Sequence, residues 1–262
     1  MDADHWRLEP AEETVAAGFR FGACGAHTSR TFMLAELADL FAATPPDTDA
    51  DGYRAAIVTE NLLGKPTMSA RVHAHKHLRE LYGCDPELPI FRVLRRLWDR
   101  DESGHPLLAL LGALGRDPVL RSTAPAVLPL PTGAQLPSHA LVRSVRREAG
   151  ARLNETSLVA AAQRTGATWT RAGHLAGHGH KVRRRVEPTP GALAFAVWLG
   201  EREGLGGEAL LESRWADVLD RPFDELADLA HIAHRLDLVD FRAGGGVFDL
   251  RTRNPDPGEA HA

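Results

Sequence analysis

The sequence predicts a mainly α-helical protein with two helical lobes, helix-turn-helix and winged-helix elements, and one short C-terminal β-hairpin. Leu and Ala dominate the apolar positions, whereas the β-branched and aromatic residues that favour strands are scarce. At 262 residues the chain is long enough for one large domain or two modest ones. We place the boundary at 123–137, where four prolines and a glycine argue against regular structure. The predicted units are an N-terminal lobe (1–122), this junction, a winged-helix-like lobe (138–250) and a flexible tail (251–262).

The N-terminal lobe is predicted to contain a helix-turn-helix. Its helices are expected, in order, over 30–43, 53–63, 68–82, 89–99 and 106–114. Gly64 and Pro66 stop the second helix and Thr67 caps the third, so a short turn joins them. The second helix of such a motif inserts its N-terminal residues into the DNA major groove. The predicted contacts are Lys65, Thr67, Ser69, Arg71, His75, Lys76 and Arg79. A plain helical hairpin with a solvated polar face is the alternative.

The second lobe is predicted to contain a winged helix. A helix capped by Ser138 runs to residue 148, and a longer helix capped by Asn154 or Thr156 runs to residue 172. A glycine-rich loop and a basic strand, 181–186, follow, which is the element order of a winged helix. The predicted nucleic-acid contacts are Arg164, Thr168, Arg171, His174, Lys181, Arg183, Arg184 and Arg185.

The last part of the chain repeats this pattern without an exact sequence repeat. Helices are predicted over 189–200, 207–219 and 223–236. Two segments of alternating apolar and polar residues, 238–241 and 247–250, then flank a run of glycines, which predicts a hairpin. A pair of helices followed by a hairpin again has winged-helix form.

Positive charge is concentrated in one part of the sequence. Between Arg143 and Arg185 there are ten Arg or Lys residues and two acids, a local balance of +8. Because the whole chain carries −4, the remaining residues carry −12. A basic stripe on an otherwise acidic protein favours a nucleic-acid backbone as partner. A solvated basic face is the alternative.

The sequence contains no recognisable catalytic motif, so we expect a non-enzymatic protein without a cofactor. A phosphate-binding GxxxxGK[ST] loop and a Gly-x-Ser-x-Gly elbow are both absent. His73 and His77 have the i, i+4 spacing that can bind zinc, but a third ligand is not evident, and the histidines near His178 lie in a glycine-rich loop. We interpret the histidines as surface groups and Cys24 as a small packing residue. A histidine-metal enzyme remains the alternative.

The expected location is the cytoplasm. Two cysteines provide no disulfide framework, and no secretory signal opens the chain. The longest apolar stretches are shorter than the roughly 20 residues that a membrane-spanning helix requires. We therefore expect no membrane partner.

Several segments of the N-terminal lobe resemble one protein family. Small residues lead into Ser29-Arg30 and an apolar helix within 21–41; Glu60-Asn61-Leu62-Leu63-Gly64-Lys65, Ser69-Ala70-Arg71 and Leu78-Arg79-Glu80-Leu81-Tyr82 follow. These segments are similar to the BrxA family of bacterial BREX phage-defence systems. The similarity extends loosely to 169–175 and the basic strand, whereas the Pro-rich junction and histidine-rich loop depart from the family pattern.

The resemblance implies a helical, non-enzymatic protein that binds double-stranded DNA beside larger methyltransferase and ATPase subunits. It also implies that Lys65, Ser69, Arg71 and the 171–185 region form the contact surface. Two other functions remain open: an adaptor whose basic face docks on an acidic subunit, and an RNA-binding protein. The RNA reading has less support because single-stranded readout uses exposed aromatic residues, and this region offers only Trp169.

Overall fold

The computed structural model describes residues 3–22, 25–245 and 247–253. Most of these residues are helical, and the predicted mainly α fold with a C-terminal hairpin is confirmed. The α-helices are α1 (Glu12–Ala16), α2 (Leu34–Ala43), α3 (Ala50–Arg54), α4 (Met68–Tyr82), α5 (Pro89–Trp98), α6 (His105–Arg116), α7 (Pro118–Arg121), α8 (Ala124–Val127), α9 (Ala140–Ala149), α10 (Glu155–Arg171), α11 (Pro190–Arg202), α12 (Arg214–Asp217) and α13 (Phe223–Arg235). The strands are β1 (Leu175–Ala176), β2 (Val182–Arg183), β3 (Val239–Gly244) and β4 (Val247–Thr252).

Capping residues decide where several helices begin. The hydroxyl of Thr67 accepts a hydrogen bond from Ala70 N, so α4 begins at Met68 as predicted. The first long helix begins at Leu34 rather than residue 30, because Met33 has a left-handed backbone with φ of 51°. His139 is likewise left-handed and occupies the N-cap position of α9, so the prediction that Ser138 caps this helix is wrong.

Several regions differ from the sequence prediction in regular structure. The predicted helix over 53–63 is α3 followed by a π-helical segment, Ala55–Thr59. The Pro-rich junction contains a short helix, α8, because Pro125 lies in its first turn, where no backbone donor is needed. The predicted basic strand over 181–186 is limited to the two residues of β2.

Both halves of the chain contribute to one cluster of buried apolar residues. It extends from Trp6 to Leu250 and includes the fully buried rings of Trp169, Trp198 and Trp215. Helix α11 lies inside it, with every residue from Gly191 to Gly200 buried. This single cluster joins the segments on either side of the proposed junction. The division into two lobes stays a prediction.

Candidate nucleic-acid interface

Helices α9 and α10 and the residues around them form a winged-helix unit. Strand β2 pairs antiparallel with β1 on one side. On the other side, Leu136 N donates to Lys181 O at 2.8 Å and Arg183 N donates to Ala134 O at 2.9 Å. The chain order is therefore extended segment, α9, α10, β1, loop and β2, which is the order of a winged helix. We call 133–183 the first winged-helix unit and the loop 177–181 its wing.

Local sequence explains the position of α10. Asn154 accepts a hydrogen bond from Ser157 N at 2.9 Å, which caps the helix. Leu158, Ala161 and Trp169 share the inward face and are buried. The Trp169 indole also donates to Thr123 Oγ1 at 2.8 Å. The opposite face of α10 therefore remains at the surface.

The exposed face of α10 has no free negative charge. Glu155 is the only acid in this helix, and both of its carboxylate oxygens lie 2.7 Å from Arg146 Nη2. Thr156, Val159 and Gln163 are exposed, and Ala160 is partly exposed between them. A face of this kind, without a free carboxylate, can approach base edges without repelling the phosphate backbone.

Several cations of α9, α10 and the segment after β2 form no ion pairs among the described residues. Arg143 and Arg147 are exposed on one face of α9, four residues apart. Arg184 follows β2 and is also exposed. Arg164 donates to Thr28 O at 2.6 Å and Arg171 donates to Thr31 Oγ1 at 3.0 Å, so carbonyl and hydroxyl oxygens hold their guanidinium groups. The positive charges of these residues remain available to an external anion.

Lys181 is positioned differently from these arginines. Its Nζ donates to Thr170 Oγ1 at 2.8 Å and to Gly177 O at 3.3 Å, which joins the wing to the C-terminal half of α10. Partial burial lowers the pKa of this amine. Lys181 is therefore half-buried at the base of the wing.

Two predicted contact residues of this unit lie in the interior. Thr168 is fully buried, where its hydroxyl oxygen accepts from Phe32 N at 3.1 Å and lies 2.8 Å from His27 Nε2. His174 is also fully buried, and its Nε2 lies 2.9 Å from Val218 O. Burial lowers the pKa of His174 to about 3, which keeps the imidazole neutral. Neither side chain can reach DNA, so both assignments are wrong.

Two predicted contacts in the basic strand are neutralised by the chain's own carboxylates. Arg183 is 1% exposed and its Nη2 lies 2.9 Å from Asp220 Oδ1. Its assignment to the interface is wrong, because strand alternation and burial turn it inward. Arg185 is exposed, but its Nη2 lies 3.1 Å from both carboxylate oxygens of Glu225. Its charge is already balanced.

The predicted N-terminal helix-turn-helix is formed by α3, the π-helical segment and α4. Ser69, Lys76 and the capping Thr67 are exposed. Arg71 instead donates to Val58 O at 3.4 Å, within its own motif. Lys65 Nζ lies 3.2 Å from Glu36 Oε1, so its charge is balanced.

One groove brings together predicted residues from the two units. Its volume is about 920 Å³, and it is lined by both Lys65 and Arg171. Arg30 also lines that cleft, beside the acids Glu36 and Asp39. This part of the surface therefore has mixed charge.

Some exposed cations of the first winged-helix unit were not among the predicted contacts. Arg143 and Arg147 belong to the basic stripe, but their exposure depends on which face of α9 is buried. Helical spacing could have identified these residues, because they occur at i, i+4 positions.

The two histidines with metal-ligand spacing, His73 and His77, contact oxygen atoms of their own helix. His73 Nδ1 lies 2.7 Å from Ser69 O, and His77 Nδ1 lies 3.1 Å from Glu80 Oε2. Among the described residues, no three His, Cys, Asp or Glu side chains are grouped as metal ligands. Cys84 is buried, which raises its pKa to about 12, and Cys24 lies outside the described residues.

No protein-family model and no curated protein matches this chain. Within the part of the chain that the structure describes, none of the helices has the length and apolar character needed to cross a membrane.

Proposed function

We propose that this protein binds double-stranded DNA through its first winged-helix unit. In this arrangement α10 enters the major groove, and its neutral face, including Thr156 and Gln163, approaches base edges. Cations on both sides of the helix contact phosphates. The contacts we propose are Arg143, Arg147, Arg164, Arg171, Lys181 and Arg184.

The observation that carries this proposal is the charge of α10 within its winged-helix topology. Its one carboxylate is held by Arg146, and exposed Arg143, Arg147 and Arg184 have no ion pair in the described chain. A surface of this shape and sign attracts a polyanion. Helix α4, with exposed Lys76 and Arg79, is proposed as a second, weaker contact.

The cellular role in the proposal depends on the resemblance to the BrxA family. It assigns the protein to a bacterial anti-phage system of the BREX type, as a non-enzymatic subunit beside a methyltransferase and an ATPase. The DNA-binding part of the proposal is tested without these partners. Their identification needs co-purification from cells that express the complete system.

A salt series on labelled duplex DNA tests the proposed binding. If about six cations contact phosphates, affinity falls by roughly three orders of magnitude between 50 and 200 mM salt. The double variant Arg143→Ala/Arg147→Ala should lower the slope of log affinity against log salt by about 2. The matched control is Arg251→Ala/Arg253→Ala, which removes the same charge from residues paired with Asp249, Asp237 and Asp240.

The control should keep the wild-type slope. Absence of any shift with duplex DNA at 50 mM salt would contradict the proposal. Tighter binding to single-stranded RNA than to duplex DNA in a competition assay would favour the RNA alternative instead. A protein that binds no nucleic acid but retains an acidic subunit after nuclease treatment would be an adaptor.

A further inference from the structure

The C-terminal part of the chain forms a second winged-helix unit with a different surface. Helices α11, α12 and α13 precede the β3–β4 hairpin, and the hairpin packs against α11 and the Gly207–Leu210 turn. Helix α13 therefore has the position in chain order that α10 has in the first unit. Its exposed face differs from that of α10 in both charge and hydropathy.

The N-terminal half of α13 is acidic. Asp224, Glu225 and Asp228 are all exposed. Arg185 and Arg221 balance Glu225, whereas Asp224 and Asp228 form no ion pair among the described residues. The helix dipole favours acids only within the first turn, which accounts for Asp224 but not for Asp228.

The C-terminal half of the same face is apolar. Ile232 and Leu236 are 40% and 50% exposed. Together with Asp224 and Asp228 they are spaced four residues apart, so the four side chains form one row along the helix. We call this row the α13 ridge. Arg235 and His231 are exposed beside it, and Arg100 Nη2 donates to Leu236 O at 2.6 Å, so two arginines accompany its apolar half.

Of the three arginines in and directly after the hairpin strands, two are paired with carboxylates of the chain. Arg251 Nε lies 2.9 Å from Asp249 Oδ1, and Arg253 pairs with Asp237 and lies 3.7 Å from Asp240. Arg242 lies opposite Asp249 in the strand register, but Asp249 already pairs with Arg251. The exposed face of α13, the helix that corresponds to α10, is therefore the acidic and apolar part of this unit, and its free carboxylates oppose a nucleic-acid backbone.

We propose that the α13 ridge docks a basic amphipathic segment of another protein. Cations of the segment would face Asp224 and Asp228, and its apolar residues would cover Ile232 and Leu236. A symmetric contact with a second copy would bring two acidic ridges together, and like charges across an interface oppose binding. Charge complementarity therefore favours a different protein over a symmetric dimer.

In-cell photo-crosslinking tests this proposal on the full-length protein. A photo-crosslinking amino acid replaces Ile232 and, as the control, Val15, which is 54% exposed on α1. Mass spectrometry then identifies the crosslinked peptide. We expect a Lys- or Arg-rich amphipathic segment of another protein from position 232 and not from position 15. A crosslink to nucleic acid, to a second copy of this chain, or to an acidic segment, or none above the control, would overturn the proposal.

Charge reversal provides the second measurement. The variant Asp224→Lys/Asp228→Lys should reduce the yield of this crosslink at least about tenfold, because two attractive contacts become repulsive. The control variant Glu12→Lys/Glu13→Lys changes the net charge equally at exposed residues of α1. Circular dichroism melting confirms that both variants are folded. An unchanged yield in a folded Asp224→Lys/Asp228→Lys variant would overturn the proposal, whatever the result of the DNA-binding experiment.

Discussion

Arg183 and Arg184 are neighbours in sequence, but the structure predicts that replacing each by Ala affects a different property of the protein. Arg183 is buried and bound to Asp220, and its guanidinium also donates to the carbonyl oxygens of His174 and Arg184. Arg184 is exposed and has no ion pair among the described residues. Arg183→Ala should therefore change stability, and Arg184→Ala should change DNA binding.

The magnitude for Arg183→Ala follows from the groups that it leaves behind. Removing one partner of a buried ion pair typically costs about 3 to 5 kcal/mol. A chain of 262 residues loses about 2 °C of Tm for each kcal/mol, so we expect a decrease of about 6 to 10 °C. Arg184→Ala should change the free energy of unfolding by at most about 0.5 kcal/mol, as is usual at exposed positions.

Two assays on the same purified variants separate the effects. Thermal melting measures stability, and fluorescence anisotropy with labelled duplex across a salt gradient measures the number of phosphate contacts. Arg184→Ala should reduce the salt slope by about 0.9, and folded Arg183→Ala should leave the slope unchanged. Equal melting temperatures for the two variants would refute the burial argument. A lower salt slope for Arg183→Ala alone would return that residue to the DNA interface.

Three further predictions concern the buried polar groups. In the folded protein His174 is neutral because its pKa is about 3. The free energy of unfolding of the wild type should therefore fall as pH decreases from about 6.5 toward 3. Urea unfolding at several pH values measures this dependence, which His174→Asn should flatten. His27→Ala should cost about 3 to 5 kcal/mol in urea unfolding at pH 7, because it leaves the buried Asp117 carboxylate without the ring 2.9 Å away; a loss below 1 kcal/mol would contradict this. Trp169→Phe should cost about 1 to 3 kcal/mol by thermal melting, because the Thr123 hydroxyl loses its indole donor.

The predicted pH dependence has a consistent sign for Asp117 as well. Contact with His27 lowers the pKa of this carboxyl below its usual range, despite the opposing effect of burial. A lowered carboxyl pKa stabilises the fold above the unfolded-state pKa of about 3.9, and this contribution is lost as pH falls through the folded-state pKa. Acid unfolding of the wild type therefore includes contributions from both His174 and Asp117.

Local sequence was sufficient to predict most helices and the order of the elements. Thr67 caps α4 as predicted, and Asn154, one of the two predicted candidates, caps α10, because an N-cap depends only on residues within one turn. Alternation around the glycine run was sufficient for the β3–β4 hairpin. The predicted start of α2 was wrong because methionine is not a residue type that indicates the left-handed backbone found at Met33.

The candidate site was only partly predictable, because charge along a sequence does not specify its partners in space. The ten cations between Arg143 and Arg185 are a property of the sequence, and so is the single acid of α10. Only the tertiary structure decided that Arg183 pairs with Asp220, in the loop before α13, and that Arg185 pairs with Glu225, in α13. Both carboxylates are more than thirty residues away in the sequence. The acidic ridge of α13 was overlooked for the same reason, since its contrast with α10 emerges only when the two winged-helix units are compared.

The sequence by itself determined the helical class, the caps, the hairpin and the uneven distribution of charge, because these depend on neighbours within a few residues. Tertiary structure decided which cations face solvent, since burial and ion pairing depend on segments distant in the chain. Arg183 and Arg184 illustrate this difference: their residue types are identical, but one is enclosed by the second winged-helix unit and the other remains exposed.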